Sequence, residues 1–191
     1  MATVAELRAR RRELSRRMRD ASGAEVIETA LQFLDRGERL IAYELVQHHA
    51  DAASRMDERM LRRFAVNLES WDAVDMFSMY LAGPAWLAGR IDAKVIEKWT
   101  KSPDRWWRRA ALASTILLSR AGRTAEALAI CARLTGDRDD MVVKAMSWAI
   151  REASKKDKAA AQRFIDEHEV AARVRREVMS KLRTGLKSSR A

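Results

Sequence analysis

Residues 104–155 read DRWWRRAALASTILLSRAGRTAEALAICARLTGDRDDMVVKAMSWAIREASK, and this stretch decides the fold. Asp104 leads to Arg109-Ala110, and Asp139 leads to Lys144-Ala145 at the same offset, so the two segments lie 35 residues apart. Working outward, Trp71 precedes Trp106 by 35 residues, and Arg175-Arg176 follows Lys144-Ala145 after about 32. Helix pairs recurring at this interval mark an α-solenoid, in which each pair buries its apolar face on its neighbours. A compact helical bundle is the alternative architecture.

Helical patterns run near 3–20, 24–36, 38–51, 55–67, 71–82, 92–101, 104–120, 123–134, 139–155, 157–168 and 170–186. Gly23, Gly37, Gly83-Pro84, Ser102-Pro103-Asp104, Gly122 and Gly136-Asp137 punctuate them. Pro103 is expected to open a helix and Asp157 to cap one. The 191 residues contain only seven glycines and two prolines, too few for the turns of a β-sandwich or barrel. The expected fold class is therefore all-α, a single repeat domain over 1–191 with a basic helix at 1–22 and a disordered tail at 187–191.

The net charge of +10 sits at the two ends. Residues 1–20 hold seven Arg against Glu6, Glu13 and Asp20, and residues 170–191 hold seven Lys/Arg against Glu177. The middle is neutral. Basic ends suit a polyanion such as nucleic acid, or an anionic membrane surface. Val4, Leu7, Leu14 and Met18 give the first helix a narrow apolar stripe. The lone Cys131 reads as a small core residue, as expected in a reducing cytoplasm. No run reaches the roughly 18 apolar residues of a membrane span.

Three clusters can carry chemistry. Trp71 and Asp75 are four apart and share a helical face. Asp72 fits the acidic first turn of a helix, whereas Asp75 lies a full turn inside. Lys144, Trp148, Arg151 and Lys155 follow one stripe of cation, indole, cation, cation. Arg105, Trp106 and Arg109 form a similar group one repeat earlier. Guanidinium groups pair with phosphates and indoles pack on sugars or bases, so both clusters suit a phosphodiester backbone. Cation–π decoration without a ligand is the alternative. His48, His49 and His168 lack the company for a metal site, and no Gly-rich phosphate loop is present.

The ordered set Ser70-Trp71-Asp72-Ala73-Val74-Asp75, Trp106-Trp107-Arg108-Arg109-Ala110-Ala111, Lys144 to Glu152 and Arg175-Arg176-Glu177 resembles the AlkD-type DNA alkylation repair glycosylases over roughly residues 60–182. The resemblance implies a right-handed stack of HEAT-like helix pairs holding duplex DNA on its concave face. It implies release of N3- or N7-alkylated purines without flipping the base. Asp75 then matches the catalytic aspartate, Trp71 and Trp148 the two tryptophans on the lesion's sugar-phosphate, and Arg109 a backbone-contacting arginine. Two features depart from the pattern. Ser70 stands where a first tryptophan is common, and an Arg-rich helix replaces the usual N-terminal segment.

The chemistry of the residues agrees. An N7- or N3-alkylated purine is already a cationic leaving group, so a carboxylate and two indole faces need only stabilise charge growing on the deoxyribose. No cofactor, metal or nucleotide is expected. The expected partner is double-stranded DNA bearing alkylated purines, contacted by Arg105, Trp106, Arg109, Lys144, Arg151, Arg175 and Arg176. A monomer in the cytoplasm, associated with the nucleoid, is expected. Replacing Asp75 by Asn is expected to leave stability little changed. A non-catalytic DNA-binding repeat protein and a protein–protein scaffold are the competing functions.

Overall fold

The computed structural model describes residues 3–187, and among these the chain is helical throughout, with no strand. In chain order the helices are α1 (Val4–Arg17), α2 (Gly23–Asp35), α3 (Arg39–Gln47), α4 (Ala50–Ser54), α5 (Glu58–Phe64), α6 (Trp71–Phe77), α7 (Gly83–Leu87), α8 (Ala93–Thr100), α9 (Arg105–Arg120), α10 (Thr124–Ala132), α11 (Asp140–Ala153), α12 (Lys158–Glu167) and α13 (Ala172–Thr184). A π-helical turn, Ser78–Ala82, joins α6 to α7.

Two layers result. α3, α6–α7, α9, α11 and α13 pack side by side in chain order. α2, α8, α10 and α12 back them, each against the helix that follows it, and α1 lies on α3. This succession of helix pairs is the expected α-solenoid. α9 is its axis: Ala110, Ala111 and Leu118 enter one apolar cluster with the N-terminal helices, while Leu112 and Ile116 enter a second with α10, α11 and α13.

The caps explain where helices begin. Thr3 with Glu6, and Ser22 with Glu25, form reciprocal capping boxes. Asp57, Asp92, Asp104, Asp139 and Asp157 each accept from a first-turn amide. Such a cap stabilises a helix by about 1 kcal/mol. Gly37 closes α2 at φ 77°, letting the Glu38 amide reach back to Phe33 O at 2.9 Å.

Three local expectations change. Pro103 precedes the cap Asp104 rather than opening α9. The expected helix 38–51 breaks at His48-His49, where the His49 ring takes the Ala52 amide and starts α4. Gly83-Pro84 breaks nothing. Proline has no amide to donate and its ring crowds the carbonyl four residues back, which the π turn relieves by inserting one residue. The Gly83 amide accordingly reaches Ser78 O, five residues back. A Cβ on Gly83 would lie 2.8 Å from Ser78 O and 3.2 Å from Ser114 O, so the missing side chain lets this segment press on α9.

The apolar stripe on the first helix is as expected at Leu7, Leu14 and Met18, which pack on the core, while Val4 is exposed. Of the tail 187–191, Lys187 approaches Glu177 at 3.9 Å and residues 188–191 lie outside the described residues, as do 1 and 2. No helix among the described residues is long and apolar enough to cross a membrane.

Candidate functional site

The segment before α6 is pinned from α3. Arg39 Nη2 donates to Val66 O at 3.0 Å and to Asn67 O at 3.1 Å, and the Tyr43 hydroxyl donates to Phe64 O at 2.9 Å. Asn67 sits in the left-handed region at φ 51°, which Asn tolerates better than most residues. The chain then turns into α6 through extended Ser70. Trp71 is the first helical residue and is 57% exposed; Asp72 lies in the first turn, and Asp75 follows one turn after Trp71.

Asp75 meets Arg109. Arg109 Nε donates to Asp75 Oδ1 at 2.9 Å and Nη2 to Oδ2 at 2.7 Å, a bidentate pair. The remaining arm, Nη1, donates to Met141 O at 2.6 Å. One guanidinium, only 5% exposed, thus ties α6, α9 and α11 together. Burial pushes the Asp75 carboxyl up from its ordinary value, and the hydrogen bonds and charge of Arg109 pull against that rise. Asp72 adds a push in the upward direction.

Beside Asp75 opens a cleft of about 450 Å³ between α3, the α6 segment and α9. Gln47, Met76, Met79, Tyr80, Leu117 and Arg120 line the rest of it. The Tyr80 hydroxyl is also 3.4 Å from Arg8 Nη2 of α1.

The other expected residues are placed as follows. Arg105 lies over the Trp106 ring at 4.7 Å and approaches Asp139 at 3.5 Å. Lys144 pairs with Asp140 at 2.6 Å, and Lys155 with Glu152 at 2.7 Å. Trp148 is half-buried on the face of α11 shared by Lys144 and Arg151. Arg151 donates to Ser147 Oγ at 3.2 Å and lies 3.9 Å from Glu177. Arg175 is exposed and donates to His168 O; Arg176 is exposed with no carboxylate partner among the described residues. So the cations expected as a free row mostly face acids, and Arg109 is buried.

The sequence reading missed these acid partners, along with Gln47, Tyr80 and Arg120. A signal existed. Arg109 and Asp75 are 34 residues apart, Arg120 and Glu152 are 32, and Ser147 and Glu177 are 30. One repeat period sets residues side by side on adjacent helices, so opposite charges at that offset are candidate pairs.

A family model described as DNA alkylation repair enzyme matches residues 3–182. The chain belongs to the DNA alkylation repair enzyme family. The match begins inside the basic N-terminal segment, so the part of this DNA alkylation repair enzyme that resembles the family is longer than the 60–182 read from motifs. No match was found among curated proteins.

Proposed function

We propose that this DNA alkylation repair enzyme is a DNA glycosylase that hydrolyses the N-glycosidic bond of cationic N3- or N7-alkylated purines in duplex DNA. The observation that carries the proposal is the Asp75 carboxylate at the edge of an open cleft, one turn from the exposed indole of Trp71.

The reaction breaks C1′–N and leaves positive charge on the sugar. A carboxylate about 4 Å away, at an effective dielectric of about 20, stabilises that charge by roughly 4 kcal/mol. The ceiling is about a thousandfold in rate. Arg109 lowers the net field of Asp75 and at the same time opposes the pull of burial toward the neutral acid. It leaves each carboxylate oxygen a second acceptor site, which suits Asp75 to orient the attacking water. Trp71, and Trp148 from α11, offer electron-rich faces to the lesion's sugar-phosphate. The leaving purine needs no acid, so the step requires only these residues and water. The base stays in the stack, which suits an open cleft. DNA contacts fall to Arg105, Trp106, Lys144, Arg151, Arg175 and Arg176, the cations on phosphates and the indole on a sugar or base, in a protein acting as a monomer on nucleoid DNA.

A second reading, DNA binding without chemistry, is favoured by one fact: both Asp75 oxygens already accept from Arg109. The deciding experiment is incubation with duplex DNA carrying 7-methylguanine, followed by heat or alkali cleavage of abasic sites. Strand breaks at the lesion in excess of those in the same duplex incubated without protein support the glycosylase. Tight binding of the same duplex without breaks supports the second reading.

A further inference from the structure

Arg105, Arg109 and Lys144 face carboxylates directly, and each such partner lowers what the cation offers a phosphate. Arg151 of α11 is held differently. Its Nε donates to Ser147 Oγ, a neutral group, at 3.2 Å. The Glu177 carboxylate of α13 stands 3.9 Å away.

Ser147 is fully buried, and its hydroxyl donates to Glu177 Oε2 at 2.6 Å. An ionised carboxylate can only accept, so the single hydroxyl proton is committed to Glu177 and the oxygen lone pairs are left for Arg151. A bond to an anion is stronger than a neutral one, which fixes the direction of the hydroxyl. Glu177 is itself fixed. Its Oε1 accepts from Arg173 Nε at 3.0 Å, and Lys187 Nζ lies 3.9 Å from Oε2. Its charge is therefore shared by Arg173 and Lys187 as well as Arg151.

These groups form a chain that ends at a guanidinium. The Arg151 side chain is only 16% exposed. Its two terminal nitrogens donate to no group among the described residues, and neither is buried. A long cation is thus anchored at Nε and open at the nitrogens that can fork onto a phosphate. Trp148 and Lys144 share its face of α11.

We propose that Ser147, held by Glu177, is a positioning residue that fixes the Arg151 guanidinium for one DNA phosphate without placing a carboxylate directly on it. The side-chain freedom that a loose arginine would lose on binding DNA is already lost in the free protein, and that pre-organisation favours the complex. The proposal rests on the DNA reading of the α11 face.

The test measures affinity for undamaged duplex DNA by fluorescence anisotropy, for the wild type, Ser147→Ala, Arg151→Met and the double variant, with circular dichroism and Tm taken for each. Ser180→Ala, which removes a buried hydroxyl of α13 that has no hydrogen-bond partner, is the control. Arg151→Met weakens binding and lowers the salt slope by about 0.9. Ser147→Ala weakens binding roughly two- to tenfold. It has no further effect in the Arg151→Met background, because it acts only through Arg151. Ser180→Ala binds like the wild type. In single-turnover excision of 7-methylguanine, Ser147→Ala raises the half-saturating protein concentration and leaves the saturating rate unchanged, since a phosphate contact serves ground and transition states alike. The amide of Glu177→Gln can donate as well as accept, so it no longer commits the hydroxyl. That variant weakens binding in the same direction and carries the test if Ser147→Ala fails to fold. Additive losses in the double variant, or a lower saturating rate with the half-saturating concentration unchanged, assign Ser147 to packing and overturn the proposal. So does wild-type affinity in Ser147→Ala, or equal weakening in Ser180→Ala. Wild-type affinity in Arg151→Met removes the phosphate role of Arg151 and this proposal with it. Coupled losses without any excision sink the glycosylase reading alone and leave this one standing.

Discussion

Arg109, on the next helix of the same layer, holds Asp75 with two parallel hydrogen bonds, of 2.9 and 2.7 Å. The carboxylate best suited to the chemistry is thus also a structural ligand of a buried cation, and its two roles respond to mutation differently.

Asp75→Asn is expected to cut excision of 7-methylguanine by one to three orders of magnitude, while affinity for duplex DNA holds or rises. The expectation that stability changes little no longer stands, because Arg109 is buried and would lose its counter-charge. Removing one partner of a buried pair costs about 3 kcal/mol or more. For a chain of this length that is a fall in Tm of roughly 6–12 °C. Asp72→Asn, in the exposed first turn of α6, serves as the control for both readouts. Full excision by folded Asp75→Asn would remove Asp75 from the mechanism.

Arg109→Lys keeps the charge and loses the planar fork. A lysine cannot make the bidentate pair and the Met141 O bond together. Thermal denaturation should show a loss of about 2 kcal/mol, and excision should fall at least tenfold as Asp75 loses its orientation. A variant with wild-type Tm and rate would show that charge alone suffices.

In the proposed mechanism excision requires ionised Asp75. Burial raises its pKa, so activity should disappear as pH falls through a value above that of a free aspartate. A single-turnover pH profile checks this. An acid limb at or below the ordinary aspartate value would mean that Arg109 outweighs burial.

Glu177 behaves in the opposite sense. Burial alone would push it up, but hydrogen bonds from Ser147 and Arg173, together with the charges of Lys187 and Arg173, hold it below its usual value. A depressed carboxyl contributes stability above its unfolded pKa and loses it as pH falls through the folded one. The difference in Tm between wild type and Glu177→Gln should therefore be present at pH 7 and shrink in acid. A constant difference would assign Glu177 a packing role only.

Gly83→Ala tests the π turn. Its Cβ would press on Ser78 O and Ser114 O, both backbone atoms that yield poorly. Overpacking of this kind costs about 1–3 kcal/mol. Unchanged thermal stability would show that α6–α7 can lift from α9.

The solenoid was legible because caps, glycines and the 35-residue echo each carry their own local physics. Trp71 and Asp75 were legible as a pair because they lie one helical turn apart. The state of the cations was not. Whether Arg151 faces solvent or an acid depends on what the adjacent helix sets opposite, here Glu177; the Lys144–Asp140 pair, four apart in one helix, was within reach of the sequence. The path through Gly83-Pro84 was hidden for a related reason: those residues usually stop a helix, and only the close approach of α9 favours continuing it.

The contact from Arg109 to Met141 O adds a mechanical dimension. One rigid, planar group rivets three consecutive turns of a spring, and the Asp75 carboxylate is one of its attachment points. Flattening or tightening the spring must lengthen one of these bonds or tilt the plane. Curvature of the array and basicity of the Asp75 side chain are therefore coupled through Arg109. A duplex that resists the shape of the protein would register as a change in proton affinity at Asp75.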